Sequence, residues 1–207
     1  MNNILIHGLG QNKDSWTKTK NILEKNHIIV HCPNLIKNNM SISYQNIYDS
    51  FKQDCNKLEG KINLCGLSLG GIIALEYAKE YPNKVNSLII IGTPYKMPKT
   101  MLKIQNIVFK FMPEHKFISL GCSKKDFITL TKSIADLDLT SNLDKITCKT
   151  LVLCGAKDKI NLKSSKSYHK EIINSEFALI NNASHEVNID NPELLANKII
   201  NFYSNLS

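Results

Sequence analysis

Arginine is absent from this 207-residue sequence, so all 26 basic residues are lysines, and the formal net charge is +8. Proteins that bind nucleic acid rely on arginine for bidentate contacts to bases and phosphates. The sequence also has no basic helix with interleaved aromatic residues. Together with abundant asparagine and isoleucine, the all-lysine composition indicates the codon bias of a low-GC genome. We therefore expect no nucleic-acid partner.

Long apolar runs are absent too, because no stretch approaches the length needed to span a bilayer. The first residues lack the basic region of a signal peptide, and the six cysteines show no C-x-x-C or zinc-ligand spacing. We expect a cytoplasmic protein with reduced thiols and without a metal ion; a disulfide pair is the alternative. With 43% hydrophobic residues, the chain fits one compact domain.

Apolar segments with strand and helix patterns alternate along the chain, which predicts an α/β fold with a mostly parallel sheet covered by helices on both faces. Six strands are predicted, at residues 4–7, 27–32, 62–65, 85–92, 151–155 and 176–180. Helices are predicted at residues 15–24, 42–59, 70–81, 164–172 and 192–205.

Residues 94–149 do not follow this alternation. Apolar residues recur with helical spacing at 100–112 and 124–137, which predicts a small helical lid inserted between a core formed by 1–93 and 150–207. The segment has ten lysines and five acidic residues. This excess of positive charge would attract an anionic substrate, such as a coenzyme A ester; a solvated lysine surface is the alternative.

The pentapeptide Gly66-Leu67-Ser68-Leu69-Gly70 follows a predicted strand and precedes a predicted helix. A G-x-S-x-G pattern in this context is typical of a nucleophilic serine. The turn is so tight that side chains in place of Gly66 and Gly70 would collide with the neighbouring strand and helix. We expect Ser68 at the carboxyl edge of the sheet, beside the free N–H groups of a helix N-terminus. An ordinary turn serine is the alternative.

Serine is a weak nucleophile at neutral pH and needs a base within hydrogen-bond reach. Of the six histidines, His185 alone follows the last predicted strand and precedes the final predicted helix. Asp158 lies in the turn after the strand at 151–155. We expect His185 to act as the base and Asp158 to orient it. The alternatives are a surface histidine and an aspartate that only caps a helix.

Taken in chain order, these motifs resemble the α/β-hydrolase fold family from about Asn3 to the C-terminus. Four segments carry the resemblance: the oxyanion loop at 7–8, the nucleophile turn at 66–70, the acid turn at 155–158, and the histidine loop with the last helix at 185–193. The resemblance implies a triad of Ser68, Asp158 and His185 that needs no metal and no organic cofactor.

The resemblance also implies the surroundings of the triad. The backbone N–H groups of Leu9 and Leu69 would form the oxyanion hole. His7 would orient the loop that carries Leu9 and take no part in the reaction. The family usually has glycine where this sequence has Ser184, so we expect a slightly different geometry in the histidine loop.

The activity implied is that of a serine hydrolase, a carboxylesterase that cleaves small esters through an acyl-enzyme. Trp16, Phe111 and Phe127 are candidates for its substrate pocket; the alternative is that they pack within the core and the lid. Similar folds use the same triad for thioester hydrolysis, carbon–carbon bond hydrolysis and lyase chemistry. A receptor that has lost catalysis is the remaining alternative.

The sequence begins on the strand at 4–7, whereas the family usually has two strands before it. We therefore expect the strand at 27–32 to form an edge of the sheet. An edge strand rich in isoleucine and valine favours pairing with another chain, so we expect either a monomer or a dimer joined through this edge.

Overall fold

The computed structural model of the chain describes residues 1–37, 40–97, 109, 111–118 and 123–206. Its strands are β1 (Asn2–Ile6), β2 (Val30–His31), β3 (Ile62–Leu67), β4 (Val85–Ile91), β5 (Lys149–Gly155) and β6 (Ser175–Ile180). They form one sheet in the order β2-β1-β3-β4-β5-β6, and every neighbouring pair is parallel. The predicted six-stranded α/β architecture is confirmed.

The described helices connect these strands and cover both faces of the sheet. They are α1 (Thr17–Lys25), α2 (Tyr44–Lys57), α3 (Leu69–Glu80), α4 (His115–Ile118), α5 (Lys124–Ser133), α6 (Lys159–Glu171), α7 (Val187–Asp190) and α8 (Pro192–Ser204), with 3-10 helices at Lys13–Trp16 and Leu143–Lys145. Because strand side chains alternate between faces, the core divides into two apolar clusters. One contains residues of α2, α3 and α6, and the other contains residues of α1 and α8.

Side-chain caps decide where several of these helices begin. The Ser43 hydroxyl accepts a hydrogen bond from the Asn46 N–H at 3.2 Å, before α2. The Asp158 carboxylate accepts one from the Asn161 N–H at 3.1 Å, before α6. Such caps satisfy N–H groups that have no partner within the helix. Helix α6 therefore begins at Lys159 and not at the predicted 164, directly after Asp158.

Strand β2 is shorter than the predicted segment at 27–32. Only two pairs join it to β1, Asn3 with Val30 and Ile4 with His31. His27 has a positive φ of 61°, which is not a strand conformation, and the Asn3 amide donates to the Ile29 carbonyl at 2.8 Å. A short edge strand limits pairing with another chain, and a dimer through this edge stays a prediction.

Part of the predicted lid lies outside the described residues. The predicted helix at 100–112 falls mostly there, whereas the one at 124–137 corresponds to α5. Phe127, Leu130 and Ile134 are buried in the same apolar cluster as residues of α2 and α3. Helix α5 therefore packs directly on the sheet domain, and a separate lid at 94–149 stays a prediction.

The five cysteines within the described residues are free thiols. Cys65 and Cys154 are fully buried, and Cys65 belongs to the second cluster. Loss of hydration raises the pKa of the Cys154 thiol to about 11. Among the described residues, none of the helices is long and apolar enough to cross a bilayer. The same residues contain no group of three or more histidine, cysteine or acidic side chains placed to hold a metal ion.

Candidate active site

Ser68 occupies a sharp turn between β3 and α3. Its φ of 53° and ψ of −112° are strained for a residue with a side chain, and its N–H donates to the Ile91 carbonyl at 2.8 Å. A Cβ atom on Gly66 would collide with the Gly70 carbonyl, and one on Gly70 would collide with the Ile6 carbonyl. Glycine is therefore required at both positions for helix α3 to approach β1 and β3 so closely.

Asp158 and His185 form a hydrogen-bonded pair after β5 and β6. His185 Nδ1 and Asp158 Oδ2 are 2.8 Å apart. The Asp158 side chain is 4% exposed, whereas that of His185 is 42% exposed. This bond occupies Nδ1 of the imidazole. The other ring nitrogen, Nε2, is therefore the one that can exchange a proton with a substrate or a nucleophile.

Gly92 connects this pair to the serine turn. A Cβ atom on Gly92 would lie 3.2 Å from His185 Nδ1 and 3.4 Å from Asp158 Oδ2, so the pair lies directly against this residue. The preceding carbonyl, that of Ile91, is the one that accepts the Ser68 N–H. The carboxyl ends of β3, β4, β5 and β6 thus bring Ser68, Asp158 and His185 to one edge of the sheet, as the sequence predicts for their strands.

The Ser68 hydroxyl makes no hydrogen bond to any residue that the structure describes, and His185 Nε2 makes none there either. The structure therefore contains a bonded His185–Asp158 pair and a Ser68 hydroxyl without a partner among the described residues. Hydrogen bonds between a nucleophile and its base are often long in a free enzyme and shorten when substrate binds. The roles of the three residues stay predictions that the geometry permits.

Two backbone N–H groups lie near Ser68 without a partner among the described residues, those of Leu9 and Leu69. Leu69 is the first residue of α3, where an N–H has no acceptor within the helix. The loop that carries Leu9 passes beside the nucleophile turn, because a Cβ atom on Gly8 would lie 3.5 Å from Ser68 Cβ. Both groups are available to stabilise a negatively charged oxygen.

His7 holds the Leu9 loop in place. Its Nε2 accepts the Leu35 N–H at 3.2 Å, so the proton of the neutral ring is on Nδ1, which donates to the Gly8 carbonyl at 2.9 Å. Burial lowers the pKa of His7, and the hydrogen bond to the Gly8 carbonyl raises it by less, so the pKa lies below its usual value. A neutral imidazole with both nitrogens bonded suits a structural role.

The three residues predicted for the substrate pocket lie in different environments. Phe127 lines a small crevice with His7, Leu9 and Leu69, next to the oxyanion loop. Trp16, in contrast, is fully buried in the second apolar cluster, so the structure assigns it to the core. Phe111 is 86% exposed and belongs to neither cluster. A role for the three residues in a substrate pocket stays a prediction, and the position of Phe127 is the one that favours it.

Asn161 is a neighbour of the pair that the sequence interpretation missed. Its side-chain amide donates to Asp158 Oδ1 at 3.1 Å and to Oδ2 at 2.9 Å, and it lies 3.2 Å from His185 Nδ1. Burial by itself raises the pKa of Asp158, but the hydrogen bonds from His185 and Asn161 outweigh it and hold the pKa below its usual value. The sequence held one signal for this contact: Asn161 lies three residues after Asp158, a residue type that often caps the start of a helix.

Replacing Asn161 with alanine should make the stability of the protein less dependent on pH. The folded-state pKa of Asp158 is depressed, so its charged form stabilises the fold above the unfolded-state pKa, and this contribution is lost as the pH falls through the folded-state value. Asn161→Ala should destabilise the protein by about 1–2 kcal/mol at pH 7 and by less at pH 3. Urea denaturation at both values measures this difference.

Asn26→Ala is the matched control, because the Asn26 amide donates to the neutral Ile22 carbonyl at 2.9 Å. Its effect on the free energy of unfolding should be the same at pH 7 and pH 3. An equally pH-independent effect of Asn161→Ala would show that the amide does not stabilise the charged form of Asp158.

Known proteins resemble this chain in sequence and in fold. Monoacylglycerol lipase ABHD6 of Homo sapiens is 23% identical over 261 aligned positions, which cover 98% of this chain and 75% of that protein. Lipase 3 of Moraxella sp. (strain TA144) is 24% identical, over 88% of this chain and 70% of that protein. Among solved structures, a thermophilic esterase from Thermogutta terrifontis matches with a TM-score of 0.83 and 22% identity, over 100% of this chain and 90% of that chain.

The model of the alpha/beta hydrolase fold family matches residues 4–117, which is more than half of the chain and includes the oxyanion loop and the serine turn. The fold of this chain, with its six-stranded parallel sheet, matches that of this esterase over its whole length. The resemblance predicted from the four motifs is thereby confirmed. This chain belongs to the alpha/beta hydrolase fold family.

Proposed function

We propose that this protein is a carboxylesterase that cleaves small esters with Ser68 as nucleophile, His185 as general base and Asp158 as the acid that orients His185. The observation that carries the proposal is the 2.8 Å bond between His185 Nδ1 and Asp158 Oδ2, beside the strained Ser68 turn. The lipase and esterase names of its relatives support ester substrates.

The reaction would proceed in two halves. In the first, Ser68 Oγ attacks the ester carbonyl carbon while His185 Nε2 takes the hydroxyl proton, and the tetrahedral oxyanion accepts hydrogen bonds from the Leu9 and Leu69 N–H groups. His185 then gives the proton to the departing alcohol, which leaves an acyl group on Ser68. In the second half, His185 takes a proton from water, the hydroxide attacks the acyl carbon, and Ser68 regains its proton as the acid departs.

The Asp158 carboxylate would contribute by position and by charge. It accepts a hydrogen bond from the Nδ1–H group, which keeps that proton on Nδ1 and leaves Nε2 unprotonated, and it stabilises the imidazolium that forms in each half of the reaction. Asn161 donates to both carboxylate oxygens, which favours the charged form of Asp158. The proposal thus needs no metal ion and no organic cofactor.

A fluorophosphonate probe tests the triad directly, because phosphonylation of a serine needs the same base and the same oxyanion donors. We expect stoichiometric labelling that mass spectrometry locates at Ser68. His185→Ala should slow the labelling at least about a thousandfold. His169→Ala is the matched control, since His169 is exposed and bonds to Ser175, and it should label at the rate of the unmodified protein.

Labelling that is absent, or that is indifferent to His185→Ala, would contradict the triad and favour a ligand-binding receptor. Labelling without turnover of oxygen esters would keep the triad and change the substrate. Assays with thioesters and with carbon–carbon hydrolase substrates then distinguish the remaining classes of reaction, all of which use the same three residues.

A further inference from the structure

The oxyanion loop and the histidine loop are joined by two side-chain amides. Gln11 Nε2 donates to Asn188 Oδ1 at 3.2 Å, and Asn188 Nδ2 donates to Gln11 Oε1 at 3.1 Å. The two residues are 177 positions apart in the chain. Gln11 lies two residues after Leu9, and Asn188 lies three residues after His185. This reciprocal pair connects the segment with an oxyanion donor to the segment with the proposed base.

Both amides are buried and have further partners. Asn188 is 1% exposed and Gln11 is 8% exposed. Asn188 Nδ2 also donates to the Ser15 carbonyl at 3.1 Å, and Gln11 Nε2 also donates to Glu186 Oε1 at 3.2 Å. Since a buried amide without partners is costly, these bonds hold both side chains in one arrangement, and a displacement of either loop would break several of them together.

The catalytic groups differ in how they are supported. Ser68 and Leu69 belong to one rigid turn and share helix α3. Leu9 and His185 lie instead on separate loops, after β1 and after β6, at strands that are not neighbours in the sheet. Catalysis requires both loops to be placed correctly relative to Ser68, and a displacement of about 1 Å can lower a rate about a hundredfold.

We infer that Gln11 and Asn188 are positioning residues, which hold the Leu9 N–H and the His185 imidazole in the arrangement that the reaction needs. The inference rests on the proposed function for its catalytic meaning. Both side chains bond to one another and to residues of the surrounding loops, so each acts through the loop that carries it. Their loss should therefore lower kcat more than it changes KM, because the ester is still bound while the reacting groups are misplaced.

A buried amide can also stabilise the fold without any effect on catalysis. Asn63, a buried amide away from the serine turn, is therefore the matched control for Gln11 and Asn188. Asn63 is 4% exposed, donates to Asn3 Oδ1 at 2.8 Å and accepts from the Ser87 hydroxyl at 2.8 Å. It pairs near the start of β3, at the opposite end of the strand from Ser68. Asn63→Ala should destabilise the protein as much as Asn188→Ala does and leave kcat unchanged.

The experiment compares Gln11→Ala, Asn188→Ala, the double variant and Asn63→Ala, at a temperature where all four are folded. Four quantities are measured: kcat and KM for p-nitrophenyl acetate, the rate of fluorophosphonate labelling, and the rate of amide hydrogen exchange. Each single variant should lose about 10–100-fold in kcat and in labelling rate, with KM changed less than about threefold. The kcat of the double variant should be no lower than that of the less active single variant, because the two residues act as one unit.

Hydrogen exchange gives a readout that does not depend on activity. Asn188→Ala should speed exchange at residues 8–12, and Gln11→Ala should speed exchange at residues 186–190. If all variants keep kcat and labelling within twofold of the unmodified protein while losing stability as Asn63→Ala does, the pair only stabilises the fold and the inference is wrong. If the unmodified protein hydrolyses no ester, the proposed substrate class fails, but the labelling rates and the exchange data still decide the role of the pair.

Discussion

Ser68→Ala should reduce the kcat for ester hydrolysis by about a millionfold, because the proposed mechanism has no other nucleophile. The fold should remain intact for two reasons. Alanine keeps the Cβ atom, so the strain at φ 53° is unchanged, and the Ser68 hydroxyl bonds to none of the described residues, so its removal leaves no group there unpaired. The free energy of unfolding should change by less than about 0.5 kcal/mol.

The measurement is hydrolysis of p-nitrophenyl esters from acetate to decanoate by the unmodified protein and by Ser68→Ala. The chain-length optimum of the unmodified protein also reports how long an acyl chain the site accepts. Ser87→Ala serves as the control, because Ser87 is buried at the start of β4 and bonds to Asn63, and it should retain full turnover. Turnover that survives in Ser68→Ala would exclude the serine mechanism.

Asp158→Asn should lower kcat by about ten thousandfold. Asparagine can present its amide N–H group to the imidazole, which then carries its proton on Nε2, where it can no longer accept the Ser68 proton. The carboxylate that would stabilise the imidazolium is lost as well. Asparagine is also a good helix cap, so α6 should still begin at Lys159 and the protein should remain folded.

Kinetics on the preferred ester, together with thermal unfolding, test this expectation. Asp126→Asn is the matched control: Asp126 lies in the first turn of α5, where it bonds to the Ser123 hydroxyl at 2.6 Å, and its replacement should leave kcat within about twofold. A near-normal rate for Asp158→Asn would mean that Asp158 only caps α6 and that another group orients His185.

The sequence determined the parts of this protein that depend on local chemistry and on chain order. Alternating strand and helix patterns were enough for the six-stranded parallel sheet. The glycines around Ser68 follow from a turn too tight for side chains, a constraint that acts within five residues. Because the carboxyl ends of parallel strands meet at one edge, the positions of Asp158 and His185 after their strands also predicted that they would lie together.

Only the tertiary structure decided which side chains are buried and which distant groups meet. Trp16 and Phe111 are both aromatic, yet Trp16 is enclosed in the core with residues of α1 and α8, whereas Phe111 is exposed. Strand β2 pairs with β1 at only two positions, which makes it shorter than the segment that the sequence predicted. The Gln11–Asn188 pair joins loops at the ends of β1 and β6, and such a contact exists only once the whole sheet has fixed the distance between them.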